Sequence, residues 1–169
     1  MTYAIVYSSQ TGNTALLARR LEADVPSGGL IYCGPPDGRA QAADVIFVGF
    51  WTDKGGSDPA STAFLKALRG KEVLLFGTAG FGGSEAYFQQ ILSRVEADLD
   101  GSNTVVGRYM CQGKMPPSVR QRYASLAEQE PQKMRALMEN FDQALSHPDQ
   151  ADLDKLIQAA KSVLPKHGG

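Results

Sequence analysis

The sequence is short of several features that would assign it to a specialised class of protein. Its 169 residues include only two cysteines, Cys33 and Cys111, which are too few for a disulfide framework and lack neighbours at metal-ligand spacing. Lysine and arginine total 17 against 18 aspartate and glutamate, so the net charge of −1 gives no basic surplus for nucleic acid. The sequence lacks a secretory signal and an apolar run of membrane-spanning length. We expect a cytoplasmic protein with reduced thiols and without a membrane or nucleic-acid partner.

The composition that remains is that of one folded domain. Hydrophobic residues make up 43% of the chain and charged residues 21%, which is enough apolar material for a core. Apolar runs of strand length alternate with helical patterns, and they lie at 3–7, 30–33, 44–49, 72–77 and 104–110. Consecutive positions in these runs are apolar, which indicates strands buried on both faces of a parallel sheet. The intervening patterns predict helices at 15–23, 61–68 and 86–99.

The last third of the chain carries helical signals only. We predict three helices there, at 118–129, 131–144 and 149–164, with Pro131 suited to a first turn. The chain is then a single domain over residues 1–169, in which 116–148 form an extra helical segment before the last helix. The apolar face of this segment needs a surface to cover, either the edge of the sheet or a second copy of the chain.

The most informative segment directly follows the first strand and directly precedes the first helix. Open parallel sheets bind ligands outside the carboxyl ends of their strands, and a helix N-terminus there offers unpaired N–H groups. The segment contributes hydroxyl and amide donors and one glycine, and it consists of Ser9, Gln10, Thr11, Gly12, Asn13 and Thr14. Both the lysine of a Walker loop and the G-x-G-x-x-G fingerprint are missing. We therefore expect the segment to hold a phosphate by neutral donors alone.

The pattern S-x-T-G-N-T after a first strand resembles the flavodoxin family, over about residues 2–110. The resemblance implies an α/β fold with a doubly wound five-stranded parallel sheet of order 2-1-3-4-5 in three α/β/α layers. It implies that the segment binds the phosphate of one non-covalently held FMN. It also implies that the loops after the third and fourth strands bracket the isoalloxazine ring, through Trp51, Thr52, Thr78, Ala79, Gly80 and Phe81. The stretch from Lys54 to Gly56 would permit a backbone flip near the ring.

The resemblance implies an electron-transfer protein that works with a partner oxidoreductase, as a monomer or weak homodimer. An FMN-dependent reductase that passes electrons from NAD(P)H to a small acceptor such as a quinone is the alternative. The weak net charge and a group of basic residues near the fifth strand favour the reductase. The basic group would also suit docking of an acidic partner, and it consists of Arg108, Lys114, Arg120 and Arg122. A third possibility is a flavodoxin fold that has lost its ligand and serves as a binding module. His147 and His167 lack the neighbours that a catalytic or metal-binding histidine needs.

Overall fold

The apolar runs form one sheet in the computed structural model, which describes residues 1–82 and 84–164. Its five long strands are all parallel, and they are β1 (Tyr3–Tyr7), β2 (Leu30–Gly34), β3 (Val45–Asp53), β5 (Glu72–Ala79) and β6 (Thr104–Gln112). The order across the sheet is β2-β1-β3-β5-β6. Counted as five long strands this is 2-1-3-4-5, so the predicted fold class is confirmed. A two-residue strand, β4 (Gly56–Ser57), pairs antiparallel with the end of β3 and was not predicted.

Helices cover both faces of this sheet. They are α1 (Asn13–Asp24), α2 (Pro59–Ala67), α3 (Glu85–Glu96), α4 (Pro117–Leu126), α5 (Pro131–Ala144) and α6 (Gln150–Ala160). A short 3-10 helix at Gly38–Ala42 leads into β3. Among the described residues no helix is both long and apolar enough to cross a membrane. The predicted helices are all present, including the pair within 116–148, where α4 and α5 pack against each other.

Alternating side chains of the strands build two separate cores, because successive residues of a strand point to opposite faces of the sheet. One core is made by Ile5, Phe47 and Leu74 with α1 and α6, which contribute Leu17, Leu21 and Leu156. The other is made by the neighbouring strand positions with α2 and α3, and its members include Val6, Ile46, Val48, Leu75, Leu65, Ile91 and Val95. Strands β1, β3 and β5 are therefore buried on both sides, as their continuous apolar runs predicted.

Helix boundaries differ from the predicted ones by a few residues, and a polar cap explains the start of α2. α2 begins at Pro59, two residues earlier than predicted, because the Asp58 carboxylate accepts a hydrogen bond from the Ser61 N–H. α4 ends at Leu126, before the predicted residue 129, and residues 127–129 form a turn that leads to Glu130, the non-helical residue before Pro131. α6 ends at Ala160, and the predicted residues 161–164 form a turn.

The carboxyl ends of β3 and β5 interlock through two glycine–phenylalanine pairs. Gly49 lies opposite Phe76, and Phe50 lies opposite Gly77. A Cβ atom at Gly49 would lie 2.4 Å from the Phe76 ring, and one at Gly77 would lie 2.3 Å from the Phe50 ring. Both rings are fully buried, so each ring occupies the space that its opposite residue leaves free. This packing fixes the spacing of the two strands where their functional loops begin.

Gly77→Ala is expected to lower the free energy of unfolding by about 1–3 kcal/mol, because the added methyl group overpacks a closed core. Urea denaturation followed by the fluorescence of Trp51 measures the change. Gly28→Ala is the matched control, since a Cβ there meets no atom within 4 Å, and it should stay within about 0.5 kcal/mol of the parent. Equal stability of the two variants would contradict the conclusion that the Phe50 ring fills the space beside Gly77.

Candidate functional site

A cleft of about 100 Å³ lies at the carboxyl ends of β1, β3 and β5. Its walls are Ser9, Gln10, Thr11, Asn13, Thr14, Trp51, Thr52, Thr78, Ala79, Gly80, Gly113, Lys114, Met115 and Pro116. The structure therefore brings together all the predicted site residues except Gly12 and Phe81. Gly12 belongs to the same loop but does not line the cleft, and Phe81 is 41% exposed. The wall at 113–116 was missed by sequence reasoning.

The loop before α1 is shaped by one serine side chain. The Ser9 hydroxyl oxygen accepts hydrogen bonds from the N–H groups of Gly12 and Ala15, each at 3.2 Å. Gly12 adopts a φ of 91°, a left-handed conformation that favours glycine and starts the helix. Within the described part of the chain, no hydrogen bond uses the N–H of Asn13 or Thr14. These two N–H groups at a helix N-terminus are the donors that an anion requires.

Two buried threonines tie this loop to the sheet. The Thr14 hydroxyl lies 3.2 Å from the Phe50 carbonyl oxygen, to which it donates, and 3.1 Å from the Thr78 hydroxyl. The Thr52 hydroxyl donates to the Thr78 carbonyl at 2.9 Å. Both Thr14 and Thr78 are almost fully buried. Their hydroxyl groups therefore hold the three predicted loops against one another.

Trp51 is positioned by a buried carboxylate that the sequence analysis did not single out. Asp58 accepts a hydrogen bond from the Trp51 N–H at 3.2 Å and another from the Ser61 hydroxyl at 2.8 Å. The Asp58 N–H donates to the Trp51 carbonyl at 3.0 Å. A signal was present, since Asp followed by Pro is a helix start with a capping side chain.

The stretch from Lys54 to Gly56 forms the tip of the β3–β4 hairpin. Lys54 and Gly55 both have positive φ, 52° and 81°, as the two central residues of a type I′ turn require. Arg94 of α3 donates to the Gly55 carbonyl at 3.2 Å and packs against the tip. None of the three tip residues lines the cleft.

Segment 113–116 lines the cleft and is bonded to two of the predicted loops, at Asn13 and at Ala79. The Asn13 amide nitrogen donates to the Lys114 carbonyl at 2.8 Å and to the Thr11 hydroxyl at 3.0 Å. The Lys114 N–H donates to the His147 carbonyl at 3.0 Å. The Asn13 Oδ1 atom is buried and has no hydrogen-bond partner in the described part of the chain. A buried polar atom left unpaired is rare in folded proteins and points to a missing donor.

Lys114 is the member of the predicted basic group that lies at the cleft. Arg108 is bound to Glu96 on α3, and Arg120 to Asp142 on α5. Lys114 is exposed and has no ion pair among residues 1–82 and 84–164. A cation at the rim adds to the neutral donors that the sequence predicted for the phosphate loop.

The cysteines lie on the two edge strands and are both free, in agreement with the sequence analysis. Burial and the neighbouring Glu22 raise the pKa of the Cys33 thiol to about 12. Burial also raises the pKa of the Cys111 thiol, so both remain protonated thiols near neutral pH. Neither group has the low pKa of a nucleophilic cysteine.

The prediction that His147 has no suitable neighbours is wrong. Its Nδ1 atom lies 2.6 Å from Asp152 Oδ2 and 3.8 Å from Asp149 Oδ2. The two carboxylates also form the capping box of α6, which accounts for their position. The prediction for His167 falls outside the described residues.

The flavodoxin domain family model matches residues 4–161 of this sequence, and the match includes the site and both α4 and α5. The chain belongs to the flavodoxin domain family. A flavodoxin-like domain-containing protein BilS from Clostridium symbiosum (strain WAL-14163) is 38% identical, and the match covers 99% of this chain and 98% of that protein. A protein of the same name from Clostridioides difficile (strain CD3) is 28% identical, with 98% of each chain covered.

Solved flavodoxin structures share the fold at low sequence identity. A short-chain flavodoxin associated with a non-canonical PDU bacterial microcompartment superposes with a TM-score of 0.60 at 15% identity, over 95% of each chain. The oxidised flavodoxin 2 from Bacillus cereus superposes with a TM-score of 0.56 at 18% identity, covering 96% of this chain and 97% of that one. These likenesses establish the three-layer flavodoxin architecture of this chain.

Asp58→Ala is expected to lower the free energy of unfolding by about 2–3 kcal/mol, because it removes a helix cap and leaves the Trp51 N–H without an acceptor. Urea denaturation measures this, and the fluorescence of the single tryptophan should shift in the folded state. Glu128→Ala on the exposed surface serves as the control. An unchanged emission spectrum in Asp58→Ala would contradict the positioning role of this carboxylate.

Proposed function

We propose that this protein binds one FMN non-covalently in the cleft and carries electrons to or from a partner oxidoreductase. The observation that carries the proposal is the convergence of three loops at one place. The donor-rich start of α1 meets the ends of β3 and β5, and the Thr14 hydroxyl joins all three. Membership of the flavodoxin family, whose members typically bind FMN, supports the same assignment.

The residues present fit the two parts of this cofactor. The free N–H groups of Asn13 and Thr14, with the side chains of Ser9, Gln10 and Thr11, would hold the phosphate. The residues at the ends of β3 and β5 would hold the ring, with the Trp51 face as the stacking surface. The bound group supplies one- or two-electron transfer, and the protein supplies its orientation and polar surroundings.

Two features of the cleft concern cofactor binding: the unpaired Asn13 Oδ1 atom and the small cleft volume. A hydroxyl group of the ribityl chain would give Asn13 Oδ1 the donor that it lacks. The cleft volume of about 100 Å³ is below the roughly 300–1,000 Å³ of ordinary small-molecule sites. Entry of the ring would then require segment 113–116 to move outward. Such a movement would break the hydrogen bond from Asn13 to the Lys114 carbonyl.

The lining of the cleft favours an electron carrier over an enzyme with its own acid–base chemistry. Lys114 is the one titratable side chain among the lining residues within the described ranges. A reductase acting on a small acceptor commonly needs a group that donates or accepts a proton beside it. In a carrier the reacting partner is another protein, which would dock at the open rim near the exposed Phe81.

Titration of the purified protein with FMN and with riboflavin tests the assignment. We expect the visible absorption bands of a bound flavin and at least about tenfold tighter binding of FMN, because the phosphate contributes charge-assisted hydrogen bonds. Equal affinity for FMN and riboflavin would refute the proposal that residues 9–14 bind the phosphate. Binding of neither would leave the flavodoxin fold as a ligand-free binding module.

Lys114→Gln is expected to weaken FMN binding by about fivefold at low ionic strength and by less at high salt, because an exposed cation is screened. Riboflavin binding should not change, since riboflavin has no phosphate. Lys133→Gln, on the exposed side of α5, is the matched control. An equal loss for both flavins would assign Lys114 a structural role instead.

Stopped-flow mixing of the FMN-loaded protein with NADPH separates the carrier from the reductase. We expect no flavin bleaching on the turnover time scale unless a reducing partner protein is added. Rapid bleaching by NADPH alone would contradict the carrier and favour the reductase.

A further inference from the structure

We propose that Asn140 of α5 is a positioning residue for the ring-binding loop, and that through it the α4–α5 pair sets the redox properties of the bound flavin. The loop is residues 79–82, which consist of the last residue of β5 and the three residues after it. The inference rests on the proposed function for its redox part only. Its structural part concerns contacts within the chain and stands without a cofactor.

The Gly80 carbonyl oxygen is held by two side-chain amides. Asn140 Nδ2 donates to it at 3.0 Å, and Gln112 Nε2 donates to it at 3.1 Å. Gln112 Nε2 also donates to Asn140 Oδ1 at 3.1 Å, which closes a three-membered network. Gln112 ends β6, and Asn140 lies in α5. The network therefore joins the sheet, the ring-binding loop and the added helices at a single carbonyl group.

Packing around this network leaves the loop little freedom. A Cβ atom at Gly82 would lie 2.7 Å from Gln112 Cδ, and one at Gly80 would lie 2.6 Å from Met115 Sδ. The carbonyl of the preceding residue, Ala79, accepts a hydrogen bond from the Gly113 N–H at 2.9 Å. The loop is thus wrapped around Gln112, with two successive carbonyls directed to that side.

This arrangement determines which way the peptide after Gly80 faces. Turning that peptide over would break both amide hydrogen bonds to its carbonyl. The Gly80 backbone lines the cleft, so the orientation of its dipoles contributes to the electrostatic field at the ring. A fixed dipole acts differently on the oxidised and the reduced ring, since the two differ in charge and in hydrogen-bonding groups.

Asn140 is not needed to keep the added helices folded. Met134 and Phe141 of α5 are each 3% exposed, and the Arg120–Asp142 ion pair joins α4 to α5. Removal of the Asn140 side chain should leave these contacts in place. Its effect should therefore be confined to the ring-binding loop.

The first experiment needs no flavin. Amide hydrogen exchange of peptides that cover residues 79–82 is compared in the parent, Asn140→Ala and Gln132→Ala. Gln132 is an exposed amide on the same helix and makes no side-chain hydrogen bond in the described part of the chain. We expect exchange in the loop to become about tenfold faster in Asn140→Ala only, because local opening no longer breaks the Asn140 contact. Unchanged exchange would overturn the positioning role.

The second experiment measures the FMN-loaded protein. The ratio of the dissociation constants for oxidised and fully reduced FMN should change about tenfold in Asn140→Ala, which equals about 30 mV in the two-electron midpoint potential. Gln132→Ala should keep the parent ratio. A faster-exchanging loop with an unchanged ratio would overturn the redox part of the proposal.

Asn140→Asp is a second variant that tests the proposal if Asn140→Ala does not fold. It keeps the size of the side chain and its acceptor toward Gln112, but it places a carboxylate oxygen against the Gly80 carbonyl. We expect a larger change in exchange and in the ratio than in Asn140→Ala. A change in neither would count against the proposal. A parent protein that binds no FMN would refute the proposed function, while the exchange experiment would still decide the structural part.

Discussion

The buried hydroxyl of Thr14 is the contact on which the arrangement of the site depends. It bonds to the ends of β3 and β5 from the first turn of α1. Because the group is almost fully buried, these bonds face little competition from water. The helix N-terminus and the two strand ends are thus held at one place. The free N–H groups at the start of α1 lie beside the loops after β3 and β5 as a consequence.

The glycine–phenylalanine pairs of β3 and β5 stabilise the strand positions on which this contact depends. They set the spacing of β3 and β5 one and two residues before Trp51 and Thr78. Asp58 then fixes the backbone of Trp51 from the α2 side. The floor of the cleft is therefore made by core packing and by buried hydrogen bonds. It does not depend on flexible side chains at the surface.

The fold could be predicted from the sequence because its signals are local. Each central strand is a continuous apolar run, and S-x-T-G-N-T lies between a strand and a helix. Strand ends were predicted too short, at 49, 77 and 110, since Thr52, Asp53 and Thr78 continue the hydrogen-bonding ladder with polar side chains. The wall at 113–116 and the role of Asn140 had no local signal. They arise from contacts that join Asn13 to Lys114 and Gly80 to Asn140, which are 101 and 60 residues apart.

The two walls of the cleft differ in origin, and this difference has a physical consequence. One wall belongs to the central strands β1, β3 and β5, which are paired on both sides and buried. The other follows the edge strand β6 and is attached by a few hydrogen bonds, made by the Asn13 amide and by the N–H groups of Gly113 and Lys114. Opening the second wall breaks a few hydrogen bonds and leaves both cores intact, so its free-energy cost is small beside that of unfolding. In the proposed function the central strands would form the rigid wall against the cofactor, and the segment after β6 would be the part that moves to admit it.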